Sequence, residues 1–214
     1  MKLASYIDHT LLKPDATTEA VEALCREAKE QQFHAVCVNG CHVPYAKALL
    51  LDTGVNVCTV IGFPLGAMAT DAKIEEARTA IRQGADEIDM VINIAYLKEG
   101  RDLAVLKEIS EIKRVCEDHV LKVILETGLL EPEEIKKGAA LAVEAKADFV
   151  KTSTGFGPRG ASLKDIELIK EAIGSKAKIK ASGGIKDAKT AQAFIKAGAH
   201  RLGTSSGAKI VAQN

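Results

Sequence analysis

The sequence has no excess of charge of either sign: its 214 residues include 29 lysines and arginines and 29 aspartates and glutamates. A balanced chain without a long basic run lacks the electrostatic footprint of a protein that binds nucleic acid or an acidic membrane surface. We therefore expect a small-molecule partner, no nucleic acid and no membrane.

The sequence also lacks a long apolar run and a disulfide framework. Its most apolar segment, residues 55–69, is interrupted by asparagine, proline and glycine, so it is not expected to span a bilayer. The amino-terminal segment reaches Asp8 and His9 before the apolar core of a signal peptide could form, which predicts no export. The five scattered cysteines, an odd number, favour a reducing compartment. Together these features predict a cytoplasmic protein.

Short β-branched runs alternate along the chain with longer segments of helical periodicity, which is the pattern of repeated βα units around a parallel sheet. The helix signals include Pro132 at a helix start and Ser162 with Asp165 three positions later. The strand-like runs are residues 6–9, 34–39, 55–63, 86–93, 121–127, 147–154, 178–184 and 200–206.

Eight βα units predict an α/β fold consisting of a single (β/α)8 TIM barrel, with residues 1–214 as one domain. A doubly wound open sheet is the main alternative, but it usually has fewer strands, and no G-x-G-x-x-G follows the first run. Since such barrels typically have about 250 residues, this one is expected to have short loops.

Three charged residues lie inside predicted strands, where a parallel sheet is buried on both faces: Asp89, Lys151 and Lys180. Each lies near the carboxyl end of its strand, where the catalytic groups of TIM barrels gather. A buried lysine beside a second cation can be held neutral and attack a carbonyl to form a Schiff base. Structural roles are the alternative: Lys151 could pair with a carboxylate, and Lys180 alternates with apolar neighbours as on a half-exposed strand.

Asp89 has apolar neighbours in its strand and is a candidate to hold a water or to move protons as a general acid or base. Asp8 and Thr10, at the end of the first strand, are candidates to extend this proton network. Glu126 ends the fifth run, where it could instead anchor a loop at the rim.

The last three loops at the carboxyl ends of the predicted strands are rich in small residues. TIM barrels often bind phosphate in the loops after the last two strands, because exposed backbone N–H groups meet the anion there. One glycine pair is a weak signal, since turns need glycine, but two such loops with two serines indicate a phosphate site. The candidate residues are Thr154, Gly155, Gly183, Gly184, Gly203, Ser205 and Ser206.

Seven segments, in order along nearly the whole chain, resemble the deoxyribose-phosphate aldolase family. They are IDHTLLKP, IGFPLG, EIDMVIN, LKVILETG, FVKTSTGF, IKASGGI and RLGTSSG. The resemblance implies a class I aldolase, a carbon–carbon lyase of deoxyribonucleoside catabolism, on a (β/α)8 barrel without a metal or other cofactor. Such an enzyme reversibly cleaves 2-deoxy-D-ribose 5-phosphate to D-glyceraldehyde 3-phosphate and acetaldehyde. The family also implies a homo-oligomer, a dimer or a tetramer.

The resemblance implies a role for each of the three buried charges. Lys151 would form the Schiff base, Lys180 would lower the pKa of that lysine and exchange protons, and Asp89 would relay protons. The phosphate would lie at Gly183, Gly184, Ser205 and Ser206.

Two positions depart from the family pattern: Phe156 stands where some members have lysine, and Lys186 stands where others have arginine. We expect Lys186 to line the phosphate site nevertheless. Because Phe156 supplies no positive charge, the phosphate would be less completely neutralised. We therefore expect the enzyme to discriminate less strongly against unphosphorylated 2-deoxyribose.

Two other functions remain open. A metal-dependent sugar-phosphate aldolase or isomerase would need ligands; the candidates are His34, Cys37, Cys41 and His42, although no second ligand pair has the spacing of a zinc site. Cys37 lies inside a strand, where a small buried hydrophobe is expected. The other function is a non-catalytic barrel that binds a sugar phosphate, and the paired lysines disfavour it because phosphate binding requires no amine deep in a strand.

Overall fold

A computed structural model describes residues 2–213, and its eight strands form a closed parallel barrel in chain order. The strands are β1 (Ile7–Leu11), β2 (Ala35–Val38), β3 (Asn56–Ile61), β4 (Glu87–Val91), β5 (Val120–Ile124), β6 (Phe149–Lys151), β7 (Lys178–Ser182) and β8 (Arg201–Thr204). Strand β1 pairs with both β2 and β8, which closes the ring. The predicted (β/α)8 TIM barrel is confirmed; the predicted domain of residues 1–214 exceeds the described range by one residue at each end.

Helices connect the strands and cover the outside of the barrel. The α-helices of residues 2–213 are α1 (Thr18–Gln31), α2 (Val43–Leu50), α3 (Thr70–Arg82), α4 (Ile94–Lys98), α5 (Asp102–Cys116), α6 (Pro132–Glu144), α7 (Leu163–Ile173), α8 (Ala188–Ala197) and α9 (Gly207–Ala212). Short 3-10 helices occupy Leu3–Tyr6, Gly40–His42 and Thr127–Leu129. Within the described range, every helix is too short or too polar to cross a lipid bilayer.

Local capping signals set several helix boundaries where the sequence predicts them. The Ser162 hydroxyl accepts a hydrogen bond from the N–H of Asp165, whose carboxylate accepts one from the N–H of Ser162. This capping box satisfies two N–H groups that the first turn of α7 leaves unpaired. Pro132 is the first residue of α6, where its missing N–H costs nothing.

Two details of the predicted elements are wrong. Strand β1 begins at Ile7 and extends to Leu11, because Tyr6 belongs to a 3-10 helix. Helix α4 is absent from the predicted elements, since five residues are too few to show a helical period. Asn93 caps α4 by accepting a hydrogen bond of 3.1 Å from the N–H of Tyr96.

The barrel interior has two parts of different chemistry. Beside β1, β2 and β3 lies a small apolar cluster, in which Cys37 is a buried residue, as expected. Its buried members are Leu12, Ala35, Cys37, Cys58 and Val60. The inward side chains of β4 to β8, together with Asp8 of β1, include several buried charges. Because TIM barrels usually fill this space with branched apolar side chains, the charges indicate a functional site.

Candidate active site

Seven charged side chains form one buried network inside the barrel. The carboxylates are Asp8, Glu87 and Asp89, and the cations are Lys122, Lys151, Lys180 and Arg201. None of the seven residues is more than 7% exposed. With four cations and three carboxylates, the fully ionised network carries one unbalanced positive charge.

Asp89 lies at the centre of this network. Its Oδ2 accepts hydrogen bonds of 2.7 Å from both Lys151 and Lys180, and its Oδ1 accepts one of 2.8 Å from Lys122. Lys151 and Lys180 are register partners on β6 and β7, so their ammonium groups reach the same oxygen. Burial by itself raises the pKa of Asp89, but the three ammonium groups outweigh it and hold the pKa well below its usual range.

Lys122 and Lys180 each contact two carboxylates. Lys180 Nζ lies 2.5 Å from Asp8 Oδ2 and 2.7 Å from Asp89 Oδ2, and Lys122 Nζ lies 2.5 Å from Glu87 Oε2. Burial by itself lowers the pKa of both lysines, but the carboxylates outweigh it and raise the pKa of each. Both lysines therefore remain cations at neutral pH.

Lys151 contacts one carboxylate of the described chain, that of Asp89. It therefore makes fewer ion pairs than Lys122 or Lys180, which each contact two carboxylates. Loss of one proton from the network would equalise its positive and negative charges.

The two candidates on β1 lie beside this centre. Asp8 joins the network directly through Lys180 and through Arg201, whose Nη1 donates a hydrogen bond of 2.9 Å to Asp8 Oδ1. The Thr10 hydroxyl donates a hydrogen bond of 2.9 Å to the backbone oxygen of Asp8. Thr10 therefore touches the network through the backbone and not through a carboxylate.

Sequence reasoning missed Glu87, Lys122 and Arg201. A signal for Glu87 exists, because it precedes Asp89 by two residues and so points to the same face of β4. Lys122 similarly interrupts the otherwise apolar strand β5. A sequence search for such networks should therefore look for two charged residues at positions i and i+2 of a buried strand. It should also look for a single charged residue in the apolar strand that follows.

A cavity of about 370 Å³ at the carboxyl ends of the strands reaches Lys151. Its lining includes the predicted phosphate residues Thr154, Gly155, Gly183, Gly184, Lys186, Gly203 and Ser205, and also Thr10, Lys13, Phe156 and Ser182. Gly183 and Gly184 have φ values of 86° and 81°, a left-handed backbone that favours glycine. Ser206 is the one predicted phosphate residue outside this lining among residues 2–213, and its N–H donates to Thr204 Oγ1.

Glu126 anchors the loop that follows β6. Its carboxylate accepts hydrogen bonds from the N–H and the hydroxyl of Thr154, and Thr154 Oγ1 accepts one of 3.0 Å from the N–H of Phe156. These contacts correspond to the rim-anchoring role considered from the sequence. They place Phe156 at the mouth of the cavity.

The buried sulfur and carboxylate groups do not suit a metal ion. In the described chain, two groups of three possible ligand atoms lie within 4.8 Å of one another: Cys37, Cys58 and Asp89, and Asp8, Cys58 and Glu87. Lys122 Nζ already contacts Asp89, Glu87 and the Cys58 sulfur, the last at 3.3 Å. A metal cation there would face the lysine ammonium group at close range.

The ligands suggested by the sequence are also engaged elsewhere or lie apart. His34 Nε2 is 3.3 Å from Glu87 Oε1, and Cys41 is exposed whereas Cys37 is buried. Neither group of possible ligand atoms in residues 2–213 includes His34, Cys41 or His42.

Comparison with known proteins identifies the family of this chain. Residues 2–213 match the model of the DeoC/LacD family aldolases. A deoxyribose-phosphate aldolase of Ureaplasma urealyticum is 53% identical over 98% of this chain and 98% of its own, and one of a Thermoanaerobacter species is 53% identical over 99% and 96%. The solved tetrameric deoxyribose phosphate aldolase of Aeropyrum pernix superposes with a TM-score of 0.92 at 36% identity, covering 98% of this chain and 89% of that one. The resemblance noted from seven sequence segments is confirmed, and the chain belongs to the DeoC/LacD family of aldolases.

Proposed function

We propose that this aldolase reversibly cleaves 2-deoxy-D-ribose 5-phosphate to D-glyceraldehyde 3-phosphate and acetaldehyde through a Schiff base on Lys151. The observation that carries the proposal is that Lys151 and Lys180 share one oxygen of the buried Asp89, and that Lys151 also lines the cavity. The names of the Ureaplasma and Thermoanaerobacter relatives support the substrate.

Lys151 is the nucleophile in this mechanism. Its neutral amine attacks C1 of the open-chain sugar, and Asp89 Oδ2, 2.7 Å from Nζ, accepts the proton that the nitrogen loses. Because the neighbouring ammonium groups hold the pKa of Asp89 low, the carboxyl does not retain this proton but passes it to the oxygen on C1, which gives the neutral carbinolamine. A second proton, taken from solvent and released again when the iminium is hydrolysed, lets the hydroxyl leave as water and gives the iminium.

The iminium then allows the carbon–carbon bond to break. It withdraws the electron pair of the C2–C3 bond, which gives the enamine. The C3 hydroxyl gives its proton to Asp89 and becomes the aldehyde of glyceraldehyde 3-phosphate. Asp89 returns a proton to C2 of the enamine, with Lys180 as the neighbouring proton source. Water hydrolyses the remaining iminium, which releases acetaldehyde and restores Lys151.

The glycine-rich loops support a phosphate-binding role for the outer part of the cavity. Exposed backbone at Gly183 and Gly184 can approach an anion closely, and Lys186 and Lys13 add positive charge to the lining. Gly203, Ser205 and Ser206 are proposed to complete this site.

Two broader features belong to the same proposal. All five cysteines are free, which supports a cytoplasmic enzyme. The described tetramer of the Aeropyrum pernix relative supports a homo-oligomer.

Borohydride reduction in the presence of acetaldehyde, followed by peptide mass spectrometry, tests the proposal. The reduced adduct is expected on the peptide that contains Lys151, and Lys151→Arg, which keeps the charge, is expected to remain unlabelled. An unlabelled wild-type protein, or a label on Lys180 alone, would refute the assignment. Activity is expected to survive a chelator, and its loss with recovery in zinc would favour a metal-dependent aldolase.

A further inference from the structure

Ser182 has a buried hydroxyl that the fold leaves unpaired. The residue is 5% exposed, and its Oγ has no hydrogen-bond partner among residues 2–213. It lines the same cavity as Lys151. Because buried polar groups are nearly always hydrogen-bonded, an unpaired hydroxyl at the wall of an active-site cavity points to a ligand group that pairs with it.

The backbone of Ser182 is held from both sides, so its hydroxyl is the free part of the residue. The Ser182 N–H donates a hydrogen bond of 3.1 Å to Thr152 Oγ1, and the Ser182 carbonyl accepts one of 3.0 Å from the N–H of Ala161. Rotation about the Cα–Cβ bond can therefore turn the hydroxyl without any movement of the strand.

Gly203 keeps space open beside this hydroxyl. It is the register partner of Ser182 on β8, and a Cβ atom at position 203 would collide with Ser182 Oγ. Since Gly203 also lines the cavity, the open space lies on the side where substrate binds.

The order of residues along β7 matches the order of groups along the sugar phosphate. Lys180 contacts Asp89 at the depth of the reacting atoms, Ser182 is the next residue on the same face, and Gly183 and Gly184 follow at the proposed phosphate loop. In a substrate bound through C1 to Lys151, the C4 hydroxyl lies between the reacting C3 and the phosphate on C5.

We propose that Ser182 binds the C4 hydroxyl of the sugar phosphate and so determines specificity for acceptors that carry it; this assignment rests on the proposed function. A serine hydroxyl can both donate to and accept from a substrate hydroxyl. The contact orients C3 for cleavage in one direction and for attack by the enamine in the other.

The test compares two acceptors in the synthetic direction, with acetaldehyde as the donor. D-Glyceraldehyde 3-phosphate carries the hydroxyl that becomes the C4 hydroxyl, whereas 3-oxopropyl phosphate lacks it. Ser182→Ala is expected to lower kcat/KM for glyceraldehyde 3-phosphate about tenfold, as for one lost hydrogen bond, and to change kcat/KM for 3-oxopropyl phosphate less than about twofold. Ser182→Cys, which is nearly isosteric but a weak hydrogen-bonding group, is expected to behave in the same way.

Ser153→Ala is the matched control. Ser153 also has a buried hydroxyl without a partner in the described chain, but it does not line the cavity. This variant is expected to leave both acceptors unchanged. An equal loss with both acceptors in Ser182→Ala, or no loss with either, would overturn the role of Ser182.

Schiff-base trapping separates this proposal from the proposed function. Acetaldehyde has no hydroxyl for Ser182 to bind, so borohydride is expected to label Lys151 in Ser182→Ala as fully as in the wild type. Reduced labelling in Ser182→Ala alone would indicate a structural defect and overturn the specificity role. Absence of the label from the wild type would instead refute the aldolase mechanism.

Discussion

Lys122 and Asp89 form an ion pair in which neither side chain is exposed to solvent, with 2.8 Å between Nζ and Oδ1. The same ammonium group contacts Glu87, so it links two carboxylates on one face of β4. It occupies Oδ1 of Asp89 and leaves Oδ2 to the two lysines of the proposed chemistry. Lys122 is therefore a positioning residue for Asp89.

Replacement of Lys122 by methionine is expected to destabilise the fold. The variant lacks the ammonium group that Glu87 and Asp89 share, while both carboxylates stay buried. Breaking a buried ion pair in this way costs about 3–5 kcal/mol. Urea denaturation measures the loss. Lys164→Met, which removes an exposed pair with Glu167 on α7, is the control and is expected to unfold like the wild type. Equal stability of the two variants would contradict a structural role for Lys122.

Replacement of Lys180 by methionine is expected to slow the chemistry. It removes the cation beside Lys151 and the proposed proton source for Asp89, and loss of such a proton-transfer group typically costs about 10²- to 10⁴-fold in kcat. Steady-state kinetics and the rate of borohydride trapping at Lys151 measure the effect. Lys178→Met, on the same strand but exposed, is expected to change kcat little. Near-normal trapping and turnover in Lys180→Met would exclude the proposed role.

The stability of the protein is expected to fall in acid. Burial by itself raises the pKa of Asp8, Glu87 and Asp89, but the buried cations outweigh it and lower the pKa of each in the folded state. A carboxyl whose pKa is lower when folded stabilises the protein above its unfolded pKa, about 4, and this contribution is lost as pH falls further.

Urea denaturation between pH 3 and pH 8 tests this expectation. The free energy of unfolding is expected to decline below about pH 4, with a smaller decline in Asp89→Asn, which lacks one of the three carboxyl groups. Lys122 and Lys180 have raised pKa values in the folded state, so their effect on stability has the opposite pH dependence. They stabilise the folded protein below about pH 10.4, and this stabilisation is lost at higher pH. A free energy of unfolding that stays constant down to pH 3 would contradict the ion-pair account.

Phe156→Lys is expected to strengthen the preference for a phosphorylated substrate. Phe156 is 52% exposed, lines the cavity with Lys13 and Lys186, and packs edge-on against Phe63 with ring centroids 5.4 Å apart. A lysine at this position adds positive charge near the proposed phosphate, and a partly exposed ion pair contributes up to about 1 kcal/mol, or roughly fivefold.

The ratio of kcat/KM for 2-deoxyribose 5-phosphate to that for 2-deoxyribose measures this preference. The ratio is expected to rise in Phe156→Lys and to fall back with added salt. Leu163→Lys is the control, because Leu163 is 51% exposed at the start of α7 and lies outside the cavity lining. A wild-type enzyme with very little activity on 2-deoxyribose would argue against the sequence-based expectation of weak discrimination.

Local features of the sequence determined the framework of this protein. Alternating apolar runs and helix signals such as Ser162 with Asp165 act within a few residues, so they predict eight βα units without knowledge of the fold. Charges inside buried strands likewise identify Asp89, Lys151 and Lys180, because a charge there is costly and needs a reason. Helix α4 was not predicted, because five residues are too few to show a helical period.

Only the tertiary structure decided which charges meet. Asp89 accepts hydrogen bonds from Lys122, Lys151 and Lys180, which lie 33, 62 and 91 positions further along the chain. Closure of the barrel brings Arg201 on β8 to Asp8 on β1, 193 positions away. The sequence alone does not fix these pairings, because they depend on strand register and on the closed ring, and neither is a local property. The register of β7 against β8 likewise sets the unpaired hydroxyl of Ser182 beside Gly203, a feature that the spacing of residues along one strand does not reveal.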